Sequence, residues 1–257
     1  MKILRYQKDG KESYGILNNN DSILQLLGSP FTTFQAGAKV AELNDVSILC
    51  PVNPSKIIGV GLNYQSHIRE MSLSTPESPM LFMKPPSGII GQGDPIIYPH
   101  IASKVEYEAE LVAVIGKPAR HVPENRALDF VLGYTCGNDV SERVIQSAEM
   151  KSGAMLVCKG FDTFCPLGPV ITTDLDPSNL NVISRLNGET KQNSNTSDLL
   201  FSVAQLVSYL SKAMLMLPGD IIMTGTPGGV GPMTPGDVVE VEVSGVGILR
   251  NPVKPER

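Results

Sequence analysis

The stretch Val105-Glu106-Tyr107-Glu108-Ala109-Glu110-Leu111-Val112-Ala113-Val114-Ile115-Gly116 constrains this chain more than any other, because carboxylates at period two run straight into an apolar strand. In a β-strand that period puts Glu106, Glu108 and Glu110 on one face, roughly 6.5–7 Å from one to the next. Like charges at that spacing, leading into a buried strand, need compensation. A divalent cation supplies it economically, since hard cations take carboxylate oxygens and offset both repulsion and desolvation. A solvated strand edge accommodates the same pattern with no ion, and this segment alone leaves both readings open.

Composition narrows the partner. A chain of 257 residues, 42% hydrophobic and 18% charged, can bury a full core as one large domain or a large one with a small attachment. A net charge of −5 and the lack of a Lys/Arg-rich block argue against nucleic acid or an anionic membrane as the main partner, which leaves small molecules. No apolar run approaches the roughly 18 residues of a membrane span, and the opening residues lack a secretory-signal layout, so the cytoplasm is the expected location. Cys50, Cys136, Cys158 and Cys165 show no C-x-x-C spacing and are expected as reduced, buried or half-buried thiols.

The first fifty residues read as short strands, Ile3 to Gln7, Ser13 to Leu17 and Ser22 to Leu26, separated by the turn clusters Lys8-Asp9-Gly10 and Asn18-Asn19-Asn20-Asp21. Residues 1–50 are therefore expected as a small β-rich N-terminal domain. Cys50 to Ser55, with two prolines, reads as an extended linker into a main domain over 51–257. β-Branched runs recur at Lys56 to Val60, Pro95 to Tyr98, Pro169 to Thr172, Asp220 to Thr224 and Asp237 to Val243, so the fold class is mixed β-rich, α+β. One helix is marked from Ser202 to Met214, with Val203, Val207, Leu210 and Met214 as its apolar stripe and Ser202, Gln205 and Ser208 off it. Asn187-Gly188 marks a tight hairpin.

Seven motifs then occur in order: Asn63-Tyr64, His67-Ile68-Arg69-Glu70, Phe82-Met83-Lys84-Pro85, the Glu-x-Glu of Glu108 and Glu110, Asn138-Asp139-Val140, Lys159 to Pro166, and Gly225 to Gly231. Together they resemble the fumarylacetoacetate hydrolase family, over about residues 56 to 252, specifically its short acylpyruvate hydrolase and oxaloacetate decarboxylase type members. The resemblance implies a mixed β-sandwich roll with a metal at its mouth, in a homodimer. Periodicity alone gives only a β-rich chain.

Carried over position by position, the resemblance makes Glu108, Glu110 and Asp139 the metal ligands, an all-oxygen set suited to Mg²⁺ or Mn²⁺. Glu106 has no ligand role in the pattern and is expected as a solvent-facing or supporting carboxylate. Asp139, read without the motif order, would be a turn or cap residue before a helix from Ser141 to Met150. His67 and Glu70, at i, i+3 on one helical face, resemble a catalytic pair in which the carboxylate holds the imidazole as a proton-abstracting base. They lie in a polar segment, Gly61 to Ser78, expected as a mobile lid that orders over substrate. Lys159 resembles the active-site lysine that neutralises charge near the metal-bound oxygen. Arg143 and Gln146 resemble contacts to the substrate carboxylate, which Thr226 in its glycine-rich loop also meets, and Tyr64 and Lys84 complete the set.

The chemistry implied is that of a 2-oxo acid chelated through carboxylate and keto oxygens, with charge from a breaking bond at C3 delocalised into an enolate. For an acylpyruvate, His67 activates water to attack the distal carbonyl, releasing pyruvate and a carboxylic acid. Oxaloacetate decarboxylation needs no attacking water, and isomerisation of a 2-hydroxydienoate needs no net cleavage. A non-catalytic 2-oxo-acid-binding protein is the alternative outside enzymology, against which the His67–Glu70 pair speaks. Some family members have Ser where Gly160 stands and many have Trp near Met155, whereas this chain has no Trp. A compact 2-oxo acid fits that composition better than an extended ring-stacking substrate.

Overall fold

A computed structural model describes residues 1–70 and 74–257 of the chain, without the side chains of His67 and Glu70. Its large sheet has twelve strands, and at its heart lies Ala109–Ile115, every residue of which is buried. This strand runs antiparallel to Val131–Asn138 on one side and to Ile221–Met223 on the other. Ile57–Gly61 continues parallel to Ile221–Met223, and Met80–Lys84 closes that edge. In the other direction come Cys165–Thr172 and then Lys2–Lys8, so the N-terminal strands extend the sheet that carries the central strand. All strands expected before residue 50 are present. Phe34–Glu42 and Ser47–Leu49 were not expected, since the sequence Phe-Gln-Ala-Gly-Ala-Lys-Val-Ala-Glu carries a single β-branched residue.

The alternation of the central strand divides the core in two. Leu111, Ala113 and Ile115 pack with Val182, Val241 and Leu249, contributed by a second sheet of five strands, and with Leu206 and Leu210 of helix Val203–Ala213. Val112 and Val114 point the other way, against Ile3, Ile57, Leu167 and Ile171. The fold is thus a mixed, mostly-β sandwich in which one strand serves two cores.

Helix Val203–Ala213 begins where a capping box stands, Ser202 and Gln205 each satisfying the other's backbone N–H. Ser208 is a correction to the expected polar face: it is buried and donates to the carbonyl of Val122. The hairpin at Asn187-Gly188 has φ of 53° and 82°, as a two-residue primed turn requires. The helix expected from Ser141 starts later, at Arg143. Ser141–Glu142 is instead a short strand against Val105–Tyr107, and the Glu142 carboxylate caps the helix at Ile145 while accepting the N–H groups of Ser103 and Lys104. All four cysteines are free and buried. Among the described residues, no helix is long and apolar enough to cross a membrane.

Candidate active site

The carboxylate-bearing strand is not continuous. Val105–Tyr107 belongs to a small three-stranded sheet and Ala109–Ile115 to the large one, so Glu108 sits where the chain passes from one to the other. The backbone N–H of Glu108 donates to Asn138 Oδ1 at 2.9 Å and that of Ala109 to Gln192 Oε1 at 3.0 Å, side chains replacing the missing ladder partners. Opposite, the antiparallel register Ala109↔Asn138 delivers Asp139 to the same end of the sheet, where its N–H donates to the Glu108 carbonyl at 2.9 Å. Glu108, Glu110 and Asp139 consequently offer carboxylate oxygens that all lie within 4.8 Å of one another, and all three are buried.

Cations interleave with these carboxylates. Lys159 Nζ reaches Glu108 Oε2 at 2.7 Å and Asp139 Oδ2 at 2.6 Å, while Lys84 Nζ reaches Asp139 Oδ1 at 2.6 Å. Arg143 forks between Glu106 at 2.7 Å and Glu108 at 2.5 Å, and donates to Gln146 Oε1 at 2.7 Å. Lys159 also lies over the Phe82 ring, 4.9 Å from its centroid. Desolvation alone would raise the Glu108 carboxyl, but Lys159 and Arg143 hold it well below the usual carboxylate range. Desolvation likewise opposes the charge on Lys159, and Asp139 and Glu108 overcome it, pushing the ammonium up to about 12.

Glu110 is the exception. Its carboxylate accepts the N–H of Gly225 at 2.8 Å and has no salt-bridge partner among the described residues. Burial, then Asp139 and Glu108, push its carboxyl well above the usual range. Gly225 must be glycine for this contact: its φ is +98°, and a Cβ there would stand 2.9 Å from Asn63 Cβ. A hard divalent cation fits this donor set, because each carboxylate keeps lone pairs free and the uncompensated charge of Glu110 is what a cation would neutralise.

The remaining expected residues fall around this centre. The Thr226 hydroxyl donates to the Ala109 carbonyl at 2.9 Å and accepts from Gln192 Nε2 at 2.8 Å, so its proton is already committed. Tyr64 is fully buried, its hydroxyl has no partner among the described residues, and desolvation with the charges of Glu110 and Asp198 pushes the phenol above its ordinary range. The backbone of helix Gln65–Glu70 is present with the expected pair one turn apart, but the side chains of His67 and Glu70, and part of the expected lid, lie outside the described residues.

Comparison with known proteins places these residues in context. The family model described as Fumarylacetoacetate (FAA) hydrolase C-terminal matches residues 56–254, and one described as Rv2993c-like, N-terminal matches residues 1–51. The chain belongs to the fumarylacetoacetate hydrolase family. Within it, the chain is 41% identical to the mitochondrial oxaloacetate tautomerase fahd2 of Xenopus laevis, over 92% of this chain and 76% of that one. It superposes on 5-carboxymethyl-2-hydroxymuconate delta-isomerase from Mycobacterium smegmatis with a TM-score of 0.91 at 42% identity, covering 100% of both chains. It also superposes on maleylpyruvate hydrolase from Sphingobium sp. SYK-6, a complex with manganese(II) and pyruvate, with a TM-score of 0.82 at 28% identity over 100% of both.

The structure decides between the alternatives left open for Glu106 and gives two amides roles that the sequence did not assign. Glu106 is not solvent-facing: it is buried, pairing with Arg143 and with Lys104 at 2.9 Å, and so acts as a supporting carboxylate. Its place two residues ahead of Glu108 was the available signal. Gln192 and Asn138 hold the backbone at the strand break; Asn138 stands in the Asn138-Asp139-Val140 motif, which does not disclose this role, and Gln192, a single amide inside a strand, carries no pattern that would mark it.

Proposed function

We propose that this protein hydrolyses the C–C bond of acylpyruvate-type 2,4-dioxo acids to pyruvate and a carboxylic acid, using Mg²⁺ or Mn²⁺ held by Glu108, Glu110 and Asp139. The carrying observation is the charge pattern of the cluster: among the described residues, Glu106, Glu108, Glu110 and Asp139 face Lys84, Lys104, Lys159 and Arg143, a balance of four against four. Adding a dication leaves the site positive by the charge of a dianionic pyruvate enolate, which suits stabilisation of that species over its neutral surroundings. When bound, the cation supplies Lewis acidity toward the keto and carboxylate oxygens of a 2-oxo acid.

The chain's own groups do the rest. Lys159, fixed by Glu108 and Asp139, donates a hydrogen bond to the oxygen that gains charge at C2. Arg143 and Gln146 take the substrate carboxylate, joined by backbone N–H groups of the loop at Thr226, whose hydroxyl is engaged elsewhere. His67, oriented by Glu70 one helical turn away, removes a proton from water as its oxygen adds to the distal carbonyl carbon. The C3–C4 bonding pair then passes into the C2–C3 bond of the enolate, and the proton returned to C3 gives pyruvate.

A second reading, oxaloacetate tautomerisation, is favoured by the identity to the Xenopus enzyme; there a proton moves between C3 and the keto oxygen and no C–C bond breaks. The deciding experiment follows pyruvate release from acetylpyruvate through a lactate dehydrogenase couple, beside the enol-to-keto absorbance change of oxaloacetate, with and without Mg²⁺ or Mn²⁺. Cation-dependent pyruvate release supports hydrolysis. Tautomerisation with no pyruvate from any acylpyruvate would replace it with the second reading.

A further inference from the structure

Beside the proposed metal centre lies a cleft of about 440 Å³ whose lining includes no charged side chain and no side-chain hydroxyl, amide or carboxyl group. Its floor is strand Met80–Lys84. Lys84, Phe82 and Met80 alternate onto one face of that strand, so the row begins at the lysine on Asp139 and runs outward through Phe82 to Met80. The neighbouring strand offers glycines beneath them: a Cβ on Gly59 would come within 2.3 Å of the Phe82 ring, and one on Gly61 within 3.2 Å of Met80 Sδ. The two side chains therefore lie low over that strand, with space above. Met150, which ends helix Arg143–Met150, and Ala154, Met155 and Leu156, which lead into the short helix Val157–Gly160 carrying Lys159, form the opposite wall.

Two of its lining residues touch the charged site. Phe82 carries the Lys159 ammonium on its ring, and Met155 Sδ receives Gln146 Nε2 at 3.5 Å. A 2-oxo acid whose carboxylate sits on Arg143 and Gln146 thus has its C3 substituent directed along an apolar, methionine-lined groove. Methionine walls adapt to differing apolar shapes and offer nothing to a second carboxylate, which would be desolvated without a partner.

We infer that this cleft, walled by Ala154 and Met155 and floored by Phe82 and Met80, is the specificity site for the substrate's distal group and selects uncharged, apolar tails over distal carboxylates. The inference rests on the proposed 2-oxo acid site, and it narrows the substrate class to acylpyruvates with alkyl-type acyl groups.

The test measures affinity, so that it stands apart from which reaction is catalysed. Dissociation constants for pyruvate, 2-oxobutanoate, 2-oxopentanoate, 2-oxohexanoate and the diacid 2-oxoadipate are obtained by calorimetry on the full chain at saturating Mg²⁺. Binding should tighten by roughly fourfold for each methylene, the ordinary gain on burying one, and 2-oxoadipate should bind at least about tenfold more weakly than 2-oxohexanoate. Ala154→Arg should reverse the order of the last two, and Leu156→Lys provides the same test from the outer wall. Affinities flat with chain length, or a diacid bound as tightly as 2-oxohexanoate by the wild type, would overturn the inference. Chain-length dependence without acylpyruvate turnover would keep the cleft and remove the reaction; turnover with flat affinities would do the reverse.

Discussion

Glu110→Gln should stabilise the metal-free protein and abolish the stabilisation that a cation gives the wild type. In the metal-free protein Glu110 must either stay ionised against Glu108 and Asp139, with oxygens within 4.8 Å, or take up a proton, as its raised range favours, and either costs stability; among the described residues it accepts only the Gly225 N–H. Two unit charges at that distance repel by about 3.5 kcal/mol at an effective dielectric constant of about 20. Lys159 relieves part of this, so removing the charge while keeping an acceptor of the same shape should stabilise the metal-free protein by about 1–3 kcal/mol. At about 2–4 °C per kcal/mol for a chain of this size, Tm rises by roughly 2–12 °C. The wild type gains about 2.7 kcal/mol from a cation present at 100 times its Kd, a further roughly 5–10 °C, and the variant gains almost nothing. Differential scanning calorimetry of both proteins in EDTA and in a Mn²⁺ or Mg²⁺ series reads all four values. A variant that melts below wild type in EDTA, or that responds to the cation as wild type does, would refute the assignment of Glu110 as the uncompensated ligand.

Three other outcomes are expected. Asp220 accepts the N–H groups of Ser55, Lys56 and Leu217 and pairs with Lys56 Nζ at 2.8 Å, so Asp220→Ala strands three donors and should cost about 3–6 kcal/mol in urea unfolding. Desolvation opposes it, yet Lys56 and these donors hold the Asp220 carboxyl below its ordinary value; its stabilisation is therefore full above about pH 3.8 and lost as pH falls through the lower folded value, and the variant should lose less stability than wild type on that acid limb. Arg143→Lys loses the fork joining Glu106 and Glu108 and should raise KM for any 2-oxo acid roughly 10- to 100-fold, read in steady-state kinetics with metal affinity as a control. His67→Ala and Glu70→Ala should depress acetylpyruvate hydrolysis by roughly 10²–10⁴-fold and affect oxaloacetate decarboxylation less; unchanged hydrolysis in either would remove the pair from the mechanism.

What the sequence discloses here follows the range of the interactions. Period-two carboxylates are local, so Glu106, Glu108 and Glu110 stand out from twelve consecutive residues, and the family motif separates the last two. Asp139, Lys84 and Lys159 are tied to them through strand register and a helix some distance along the chain, which no local pattern encodes; only the ordered motifs of a known family pointed to them. The interruption at Glu108 is not legible because the bonds that sustain it come from Asn138, whose motif does not disclose the contact, and from Gln192, an ordinary strand amide 84 positions from Glu108 along the chain. For Glu106 the sequence leaves exposed and supporting roles open for a similar reason, and the structure decides for the second: Arg143 and Lys104 cover it, one from a helix and one from two residues upstream. Strand positions were legible where β-branched residues cluster, and failed at Phe34–Glu42, where they do not.

The placement of Glu108 at the passage between two sheets also bears on how the chain reaches its folded state. No fragment contains a usable cation site: Glu108 and Glu110 need strand Val131–Asn138 beside them to meet Asp139, and the Gly225 N–H arrives only with the C-terminal part of the large sheet. Pairings this distant along the chain close late, after the entropy of the intervening loops has been overcome. A cation therefore finds no partly assembled cradle to grip and cannot act as a nucleus. In stopped-flow refolding, saturating Mg²⁺ or Mn²⁺ should leave the folding limb where it is and lower the unfolding rate by the whole of its stabilising effect, about 100-fold at 100 times its Kd, acting as a lock on the finished molecule.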